Sequence, residues 1–360
     1  MNPKSTQPPL GIIEGFYGPP WTWEEREAVV RRLAPHGYGF YWYAPKSDPF
    51  LRRRWNELHP RTEAENLSHF AGYCENLGIG FGVGLSPYEI YRSFDANAKQ
   101  LLKDKLAHLR DLGVNRLALL FDDMPGDLPK LAERQAEVVD WVQAEGRFKH
   151  LAVCPTYYTW DPVLDRVFTP RPAGYLKRLG ELLHDDIDVF WTGEEVCSRA
   201  ISPGHVRAIR EELGRPVLLW DNYPVNDGDR MSQHLHLRGF TGRPASLAGQ
   251  VRGHAINPAL QPTLTCIAAI TLAESYRLGD DYCYMAATRK AATEVLGTRL
   301  GSQVCDDILL LEDAGLRRLS SEKQKILRER YGRINHAGAR EILNWLDGRY
   351  QVTDEMVQTQ

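Results

Sequence analysis

Short apolar runs rich in β-branched and aromatic residues alternate along this chain with longer stretches whose apolar residues recur every three or four positions. The short runs predict strands at 11–14, 39–44, 80–85, 116–122, 151–155, 188–192, 217–220 and 247–255. The longer stretches predict helices at 21–33, 63–77, 97–112, 128–144, 173–183, 203–213 and 262–277. In 97–112 the stripe is Leu101, Leu102, Leu106, Leu109 and Leu112, and only Lys105 breaks it. Ser202-Pro203 reads as a helix start, and Gly78, Gly113 and Gly214 read as helix stops. Strands alternating with helices predict a parallel sheet, and eight is the number that closes an α/β barrel of the (β/α)₈ or TIM type. An open doubly wound sheet would need a phosphate-binding glycine loop after the first strand. The stretch Gly78-Ile79-Gly80-Phe81-Gly82-Val83-Gly84 instead alternates strictly and fits neither GxGxxG nor a P-loop. Its glycines read as relief of crowding inside a barrel strand.

The barrel is expected over residues 1–279, followed by a small C-terminal helical appendage over 280–360 with helices at 291–296, 303–314, 322–331 and 337–346. From residue 352 the end reads as frayed. The connection 222–246 is long and rich in Gly, Asp and Asn, a length that in a compact domain carries function.

Composition narrows the field. Of 360 residues 43% are hydrophobic and 25% charged, which is globular, and 44 Lys and Arg against 47 Asp and Glu leave a net charge of −3. No basic surplus exists to draw a polyphosphate, so nucleic acid is not an expected partner. No apolar run approaches the roughly 20 residues that span a bilayer, so a membrane is not expected either. The N-terminal MNPKSTQPPLG lacks the apolar core of a leader, giving a cytoplasmic expectation. Six cysteines (Cys74, Cys154, Cys197, Cys266, Cys283 and Cys305) form no CxxC pair and are expected as reduced core residues. Nine Trp and 16 Tyr bring the aromatics to 10%, several in polar contexts that suit a flat amphipathic ligand such as a sugar.

In such a barrel the active site lies at the C-terminal ends of the strands. There the sequence offers Glu14, Tyr17, Lys46, Asp48, Ser86, Asp122, Asp123, Thr156, Tyr158, Thr192, Asp221, Asn222, Asp227 and Asn257. The sharpest feature is Leu119-Leu120-Phe121-Asp122-Asp123, an apolar strand running into two carboxylates. Alternation puts one at the mouth and the other on the lip, and crowding is expected to raise the pKa of one of them. That suits a general acid beside a charged partner; a helix N-cap and metal ligation are the other readings. His234-Leu235-His236 has metal-ligand spacing but no nearby carboxylate cluster, and reads as a surface or packing pair. Trp220-Asp221-Asn222, continuing to Asn226-Asp227, offers an aromatic wall beside amide and carboxylate groups, which a pyranose site needs and an Asx turn would also explain.

These residues resemble glycoside hydrolase family 84, the O-GlcNAcase and hyaluronidase-like β-N-acetylglucosaminidases. The stretches that carry the resemblance are Glu14-Gly15-Phe16-Tyr17-Gly18 with Trp21, Tyr43-Ala44-Pro45-Lys46 with Asp48-Pro49, and Phe121-Asp122-Asp123. Cys154-Pro155-Thr156 with Tyr158, Trp191-Thr192-Gly193, Trp220-Asp221-Asn222 with Asn226-Asp227, and Asn257-Pro258 complete it. The resemblance implies retaining hydrolysis of β-linked N-acetylglucosamine in which the 2-acetamido oxygen is the nucleophile and an oxazoline the intermediate. It implies that Asp122 holds the acetamido N–H and that Asp123 is the general acid and base. It further implies that Gly15, Lys46, Asp227 and Asn257 contact sugar hydroxyls and that Asn222 bonds near the acetamido group. Trp220 and Thr192 would then wall the methyl pocket, with Tyr158 on the acetamido oxygen.

No cofactor is expected, and metal chemistry is disfavoured because the sequence has no His-x-His after the first strand and no HExxH; the resemblance points to the substrate. The partners are glycoproteins, glycopeptides or oligosaccharides bearing β-linked N-acetylglucosamine, cell-wall or hyaluronan-type fragments among them. A catalytically silent sugar-binding barrel and a metal-dependent enzyme on the same fold are the competing readings. Tyr88 after Ser86-Pro87, Gly228 after Asp227, and Leu237-Arg238-Gly239-Phe240 depart from the family pattern around the rim. Phe240, Trp345 and Tyr350 are candidates for a homodimer contact, an extended substrate or a small core.

Overall fold

The computed structural model describes residues 7–360, so the first six residues of the polar N-terminus lie outside it. Eight parallel strands close a barrel in chain order: β1 Leu10–Glu14, β2 Tyr38–Tyr43, β3 Gly80–Leu85, β4 Arg116–Leu120, β5 His150–Cys154, β6 Asp188–Trp191, β7 Leu218–Asp221 and β8 Gly253–Ile256. Leu10 pairs with Tyr38 on one side and His254 on the other, which is the closure. The crowding expected of the glycine-rich strand is real. Trp42 stands opposite Gly82 in register, and a Cβ on Gly82 would lie 2.4 Å from its ring. At Gly84 a Cβ would lie 2.6 Å from that of Ala44. The missing side chains make room for the indole that fills the barrel.

Helices α1 Trp23–Leu33, α2 Arg61–Asn76, α3 Ala96–Asp111, α4 Leu131–Gly146, α5 Pro162–Val167, α6 Tyr175–Leu182, α7 Pro203–Leu213 and α8 Pro262–Leu278 surround it. Side-chain caps set several starts: Thr22 and Glu25 form a reciprocal box at α1, Asp95 caps α3 and Ser202 caps α7. Helix α5, unread in the sequence, starts at Pro162 behind an Asp161 cap. The predicted strand 247–255 is corrected to Gly253–Ile256, because Ala245–Leu247 turns as a 3₁₀ helix and the Gln250 amide bonds back to the Leu247 carbonyl. Lys105 is not misplaced in α3. It is fully buried, donates to the Glu57 carbonyl at 2.8 Å, and has its pKa pushed down to about 8 by burial.

Five more α-helices follow among the described residues: α9 Tyr284–Leu296, α10 Thr298–Asp306, α11 Ser321–Tyr331, α12 Ala337–Leu346 and α13 Asp354–Thr359; the expected helix 303–314 is corrected to the end of α10 and a separate π-helical stretch Leu309–Ala314. The frayed end is a correction. Thr353 caps α13, the Val352 N–H donates to Ser232 Oγ at 3.2 Å, and Gln360 Oε1 accepts from the Gly18 N–H at 2.8 Å. Phe240 and Trp345 are buried core residues, while Tyr350 packs half-buried against the core. All six cysteines are free; Cys74, Cys154 and Cys266 are buried as expected, but Cys197 and Cys283 are exposed. Among the described residues no helix is long and apolar enough to cross a membrane.

Candidate active site

The strand-end groups divide into struts and pocket walls. Glu14 is fully buried and takes two bonds from Arg26, at 2.7 and 2.8 Å, and one from the Tyr41 hydroxyl. Asp221, also fully buried, is gripped by Arg243 at 2.7 Å through each oxygen and by His254 at 2.9 Å. Burial opposes that carboxylate's charge, but Arg243 and His254 pull its pKa down to about 2. Asp48 bonds the Phe50 amide and Tyr43, and Thr156 donates to the Phe121 carbonyl directly below the two aspartates. His234 and His236 bond the Glu312 and Pro224 carbonyls, so neither ring is a free ligand pair.

The walls converge on one pocket of ≈330 Å³. It is lined by Gly15, Lys46, Asp122, Asp123, Tyr158, Thr192, Trp220, Asn222, Asp227 and Asn257, the ten residues to which the family resemblance gives a role, whereas Glu14, Asp48, Ser86, Thr156 and Asp221 lie outside its lining. A larger cavity of ≈560 Å³ lies between α1, α8 and α12 but contains none of these groups. Convergence of polar groups, not size, marks the site.

Asp122 is buried, and Lys46 Nζ donates to its Oδ2. Its Oδ1 is buried with no hydrogen-bond partner. Asp123 has a left-handed backbone, φ 58°, which breaks strand alternation and lets both carboxylates face one pocket. Its side chain is 25% exposed against 7% for Asp122, so one is deep and the other at the lip. Lys46 Nζ lies 3.1 Å from Asp123 Oδ2, Arg52 Nη2 lies 3.9 Å from it, and the Tyr17 hydroxyl donates to it at 2.7 Å. The expected rise from carboxylate crowding is therefore corrected. Burial pushes Asp123 up, but Lys46, Arg52 and the Tyr17 hydrogen bond together hold it below the ordinary carboxylate range.

On the other side, the Gly15 N–H donates to Asn257 Oδ1 at 3.2 Å, and Asn257 Nδ2 donates to Asn222 Oδ1 at 2.9 Å. Asn222 Nδ2 donates in turn to the Val196 carbonyl at 2.7 Å, tying the ends of β1, β8, β7 and β6 into one rim. Gly15 is needed for close approach, since a Cβ there would sit 2.3 Å from the Trp220 ring. Asp227 accepts from the Tyr17 N–H at 2.8 Å, and burial pushes its pKa up to about 6. The Asn226 amide donates to the His234 carbonyl and to Gln261, and its oxygen accepts from the Leu260 amide, which orders the long connection carrying Asp227. Trp220 is set edge-on to Phe190 at 5.4 Å. Thr192 donates to the Glu195 carbonyl at 3.0 Å, and the Tyr158 hydroxyl has no hydrogen-bond partner among the described residues.

Sequence reasoning left several wall residues unassigned: Cys154, Val196, Cys197, Gly228 and Val357, with Tyr17 noted only as a strand-end group. Arg52, in the layer behind Tyr17, was also missed. Gly228 keeps φ at 117° with open space where a Cβ would stand. Tyr88 lies under the Arg53 guanidinium at 5.0 Å, and Arg238 pairs with Glu312 and Asp313. Among the described residues no group of three His, Cys, Asp or Glu side chains could hold a metal.

The beta-N-acetylglucosaminidase family model matches residues 10–309. Protein O-GlcNAcase of Mus musculus is 30% identical over 276 residues, 74% of this chain and 30% of that protein. The protein of the same name in Rattus norvegicus matches over the same lengths. The chain thus spans about 30% of the length of these curated relatives. An Asp-to-Asn mutant of the O-GlcNAc hydrolase of Thermobaculum terrenum superposes with a TM-score of 0.79 at 28% identity, covering 96% of this chain and 82% of that one. The structure of CpGH84B, at 24% identity and a TM-score of 0.72 over 96% of this chain and 61% of that one, shares the fold.

Proposed function

The chain belongs to the β-N-acetylglucosaminidase family, glycoside hydrolase family 84, and from that premise we propose that it is a retaining exo-β-N-acetylglucosaminidase using substrate-assisted catalysis. The observation that carries the reading is the orphaned Oδ1 of Asp122. A buried carboxylate oxygen without a donor is costly unless a ligand supplies one, and the acetamido N–H of the substrate does so.

In the first step the acetamido oxygen attacks the anomeric carbon as the glycosidic C–O bond breaks. Asp123 gives its proton to the leaving oxygen, and Asp122, paired with Lys46, stabilises the positive charge that grows on the oxazoline ring. Water then attacks the anomeric carbon, Asp123 takes its proton, and the acetamido group is restored with β configuration retained. Asp123 is charged in the empty pocket. Seating an uncharged sugar displaces water and penalises that charge, so the carboxylate takes up its proton as the substrate binds. Trp220, Thr192 and Cys154 wall the acetamido methyl, and the unpartnered Tyr158 hydroxyl meets the acetamido oxygen. Lys46, Asn257 and the Gly15 backbone take hydroxyls, Asp227 takes the 4- and 6-hydroxyls, and Asn222 bonds beside the acetamido group.

The substrates are β-O-linked N-acetylglucosamine on Ser or Thr of proteins, or the same sugar on small glycoconjugates. Hydrolysis of an aryl β-N-acetylglucosaminide and of the matching β-glucoside, by wild type and Asp123→Asn, tests the mechanism. Turnover of the acetamido substrate alone, largely lost in the variant, supports it. Equal turnover of both substrates rules out the acetamido nucleophile, and binding without turnover means a silent sugar-binding barrel.

A further inference from the structure

Beside the pocket of Asp122 runs a second groove of ≈530 Å³, built from the β6–α7 connection, the β7–β8 connection and the start of α9. The two share Cys197 and Asn222 in their linings, so the groove opens onto the reaction site rather than onto another face. Its acidic groups are spoken for. Glu312 accepts from the Leu237 and Arg238 amides and pairs with the Arg238 guanidinium, which also grips Asp313 at 2.7 Å. Asp229, on the same connection, is held by Arg317 at 2.6 Å, and Asp221 by Arg243. The His236 ring is neutral near pH 7, its pKa pushed down to about 4 by burial. Two guanidiniums remain, those of Arg199 and Arg230, which are exposed on the groove wall with no hydrogen bond or ion pair among the described residues. These two guanidiniums without a carboxylate partner leave the groove wall cationic on a chain of net charge −3.

Beside these cations Met231 and Tyr284 expose apolar surface, at 36% and 39% of their areas. Tyr223 is not a free platform, because His236 stacks on its ring at 5.6 Å and Phe240 packs perpendicular to it at 4.9 Å. The groove therefore lacks the row of aromatic platforms that successive sugar rings need, and offers spaced cations with apolar contacts between them. That combination fits a polypeptide carrying carboxylates near apolar side chains. Building on the hydrolase reading above, we propose that this groove is the aglycone site and that it selects peptide substrates with Asp or Glu flanking the glycosylated residue.

The test separates the groove from the chemistry. Fluorescence anisotropy of a labelled, unglycosylated acidic octapeptide, and of its Asn/Gln counterpart, reads the groove without any turnover. Wild type should bind the acidic peptide roughly fivefold more tightly, as two exposed ion pairs allow, and should lose the preference at high salt. Arg199→Ala/Arg230→Ala should abolish the preference, and Arg199→Lys/Arg230→Lys should restore most of it. Hydrolysis of an aryl N-acetylglucosaminide, which engages only the deep pocket, should match wild type in both double variants and certifies their folding. The proposal is overturned if the alanine double variant keeps the preference, if wild type shows none, or if a uronate-bearing oligosaccharide binds more tightly than the acidic peptide. Failure of aryl glycoside hydrolysis in wild type would instead sink the hydrolase reading and leave the peptide result standing by itself.

Discussion

The Tyr17 hydroxyl gives the most discriminating test of how Asp123 works. Burial and the neighbouring Asp123 charge push the phenol's pKa well above its ordinary value, so it stays a donor at any working pH. It donates to Asp123 at 2.7 Å while accepting from Arg52 at 3.2 Å. Tyr17→Phe removes one oxygen and leaves the Lys46 and Arg52 contacts to the ring face, at 5.6 and 5.4 Å, and the main-chain bond to Asp227. As Asp123 gives up its proton it becomes a carboxylate, and a hydrogen bond to a charged group contributes about 1.5–3 kcal/mol. Its loss should lower kcat/KM by about 10- to 100-fold wherever the leaving group needs that proton. The assay is a leaving-group series: a methyl or seryl β-N-acetylglucosaminide should show the full loss, and a dinitrophenyl glycoside, whose leaving group departs without protonation, almost none. The sign of the pH effect is fixed as well. Removing a donor that favours ionised Asp123 raises its pKa, and since the protonated form is the acid, the basic limb of kcat/KM moves to higher pH. An equal loss across the series, or a basic limb moving down, would refute the role given to Tyr17.

Other outcomes follow from the same geometry. Asp122→Asn should lower kcat/KM by about 100- to 1000-fold for dinitrophenyl and methyl glycosides alike, because in the proposed step Asp122 stabilises the charge on the forming oxazoline and does not protonate the leaving oxygen; a leaving-group series reads the difference. Asp227, with its pKa near 6, should lose charge as pH falls through that value. Charged acceptors bind hydroxyls more strongly, so KM should rise below pH 6 with kcat little changed, and Asp227→Asn should raise KM at neutral pH and flatten its pH dependence. Arg26→Met strands the buried Glu14 carboxylate and should cost about 3–5 kcal/mol of stability, read from the urea midpoint.

The strands were legible because buried barrel strands are short continuous apolar runs, and all seven residues of Leu117–Leu120 and Val189–Trp191 are apolar and buried. The groups that converge on the pocket were legible for the related reason that a barrel exposes its strand ends at one mouth, which gives each polar residue there an address. The charge state of Asp123 was not, because the cations that set it come from the β2–α2 connection, far along the chain. Arg52 shows the limit well. In the run Arg52-Arg53-Arg54 nothing marks one guanidinium for the interior, yet Arg52 is buried on Tyr17 while Arg53 and Arg54 remain exposed. Lys105 makes the same point inside a helix: a lysine in an apolar stripe looks like an error until the chain brings the Glu57 carbonyl to its amine. Helix α13 was unreadable because its partners, the Gly18 amide and Arg53, lie at the other end of the sequence.

The pocket and the shell around it are stitched from parts that are remote along the chain: 242 residues separate Gly15 from Asn257 and 210 separate Tyr17 from Asp227 in its wall, and 342 separate Gly18 from Gln360 just outside it. Such contacts form only when the barrel has closed, so a ligand that spans them binds the closed state and not its opened forms. Occupancy then becomes a clamp on the whole fold, adding about 2.7 kcal/mol at a ligand concentration of 100 Kd. Amide hydrogen exchange would slow together at β1, β8 and the last turn of the chain, and a sugar analogue would work as a folding aid for weakened variants as well as an inhibitor.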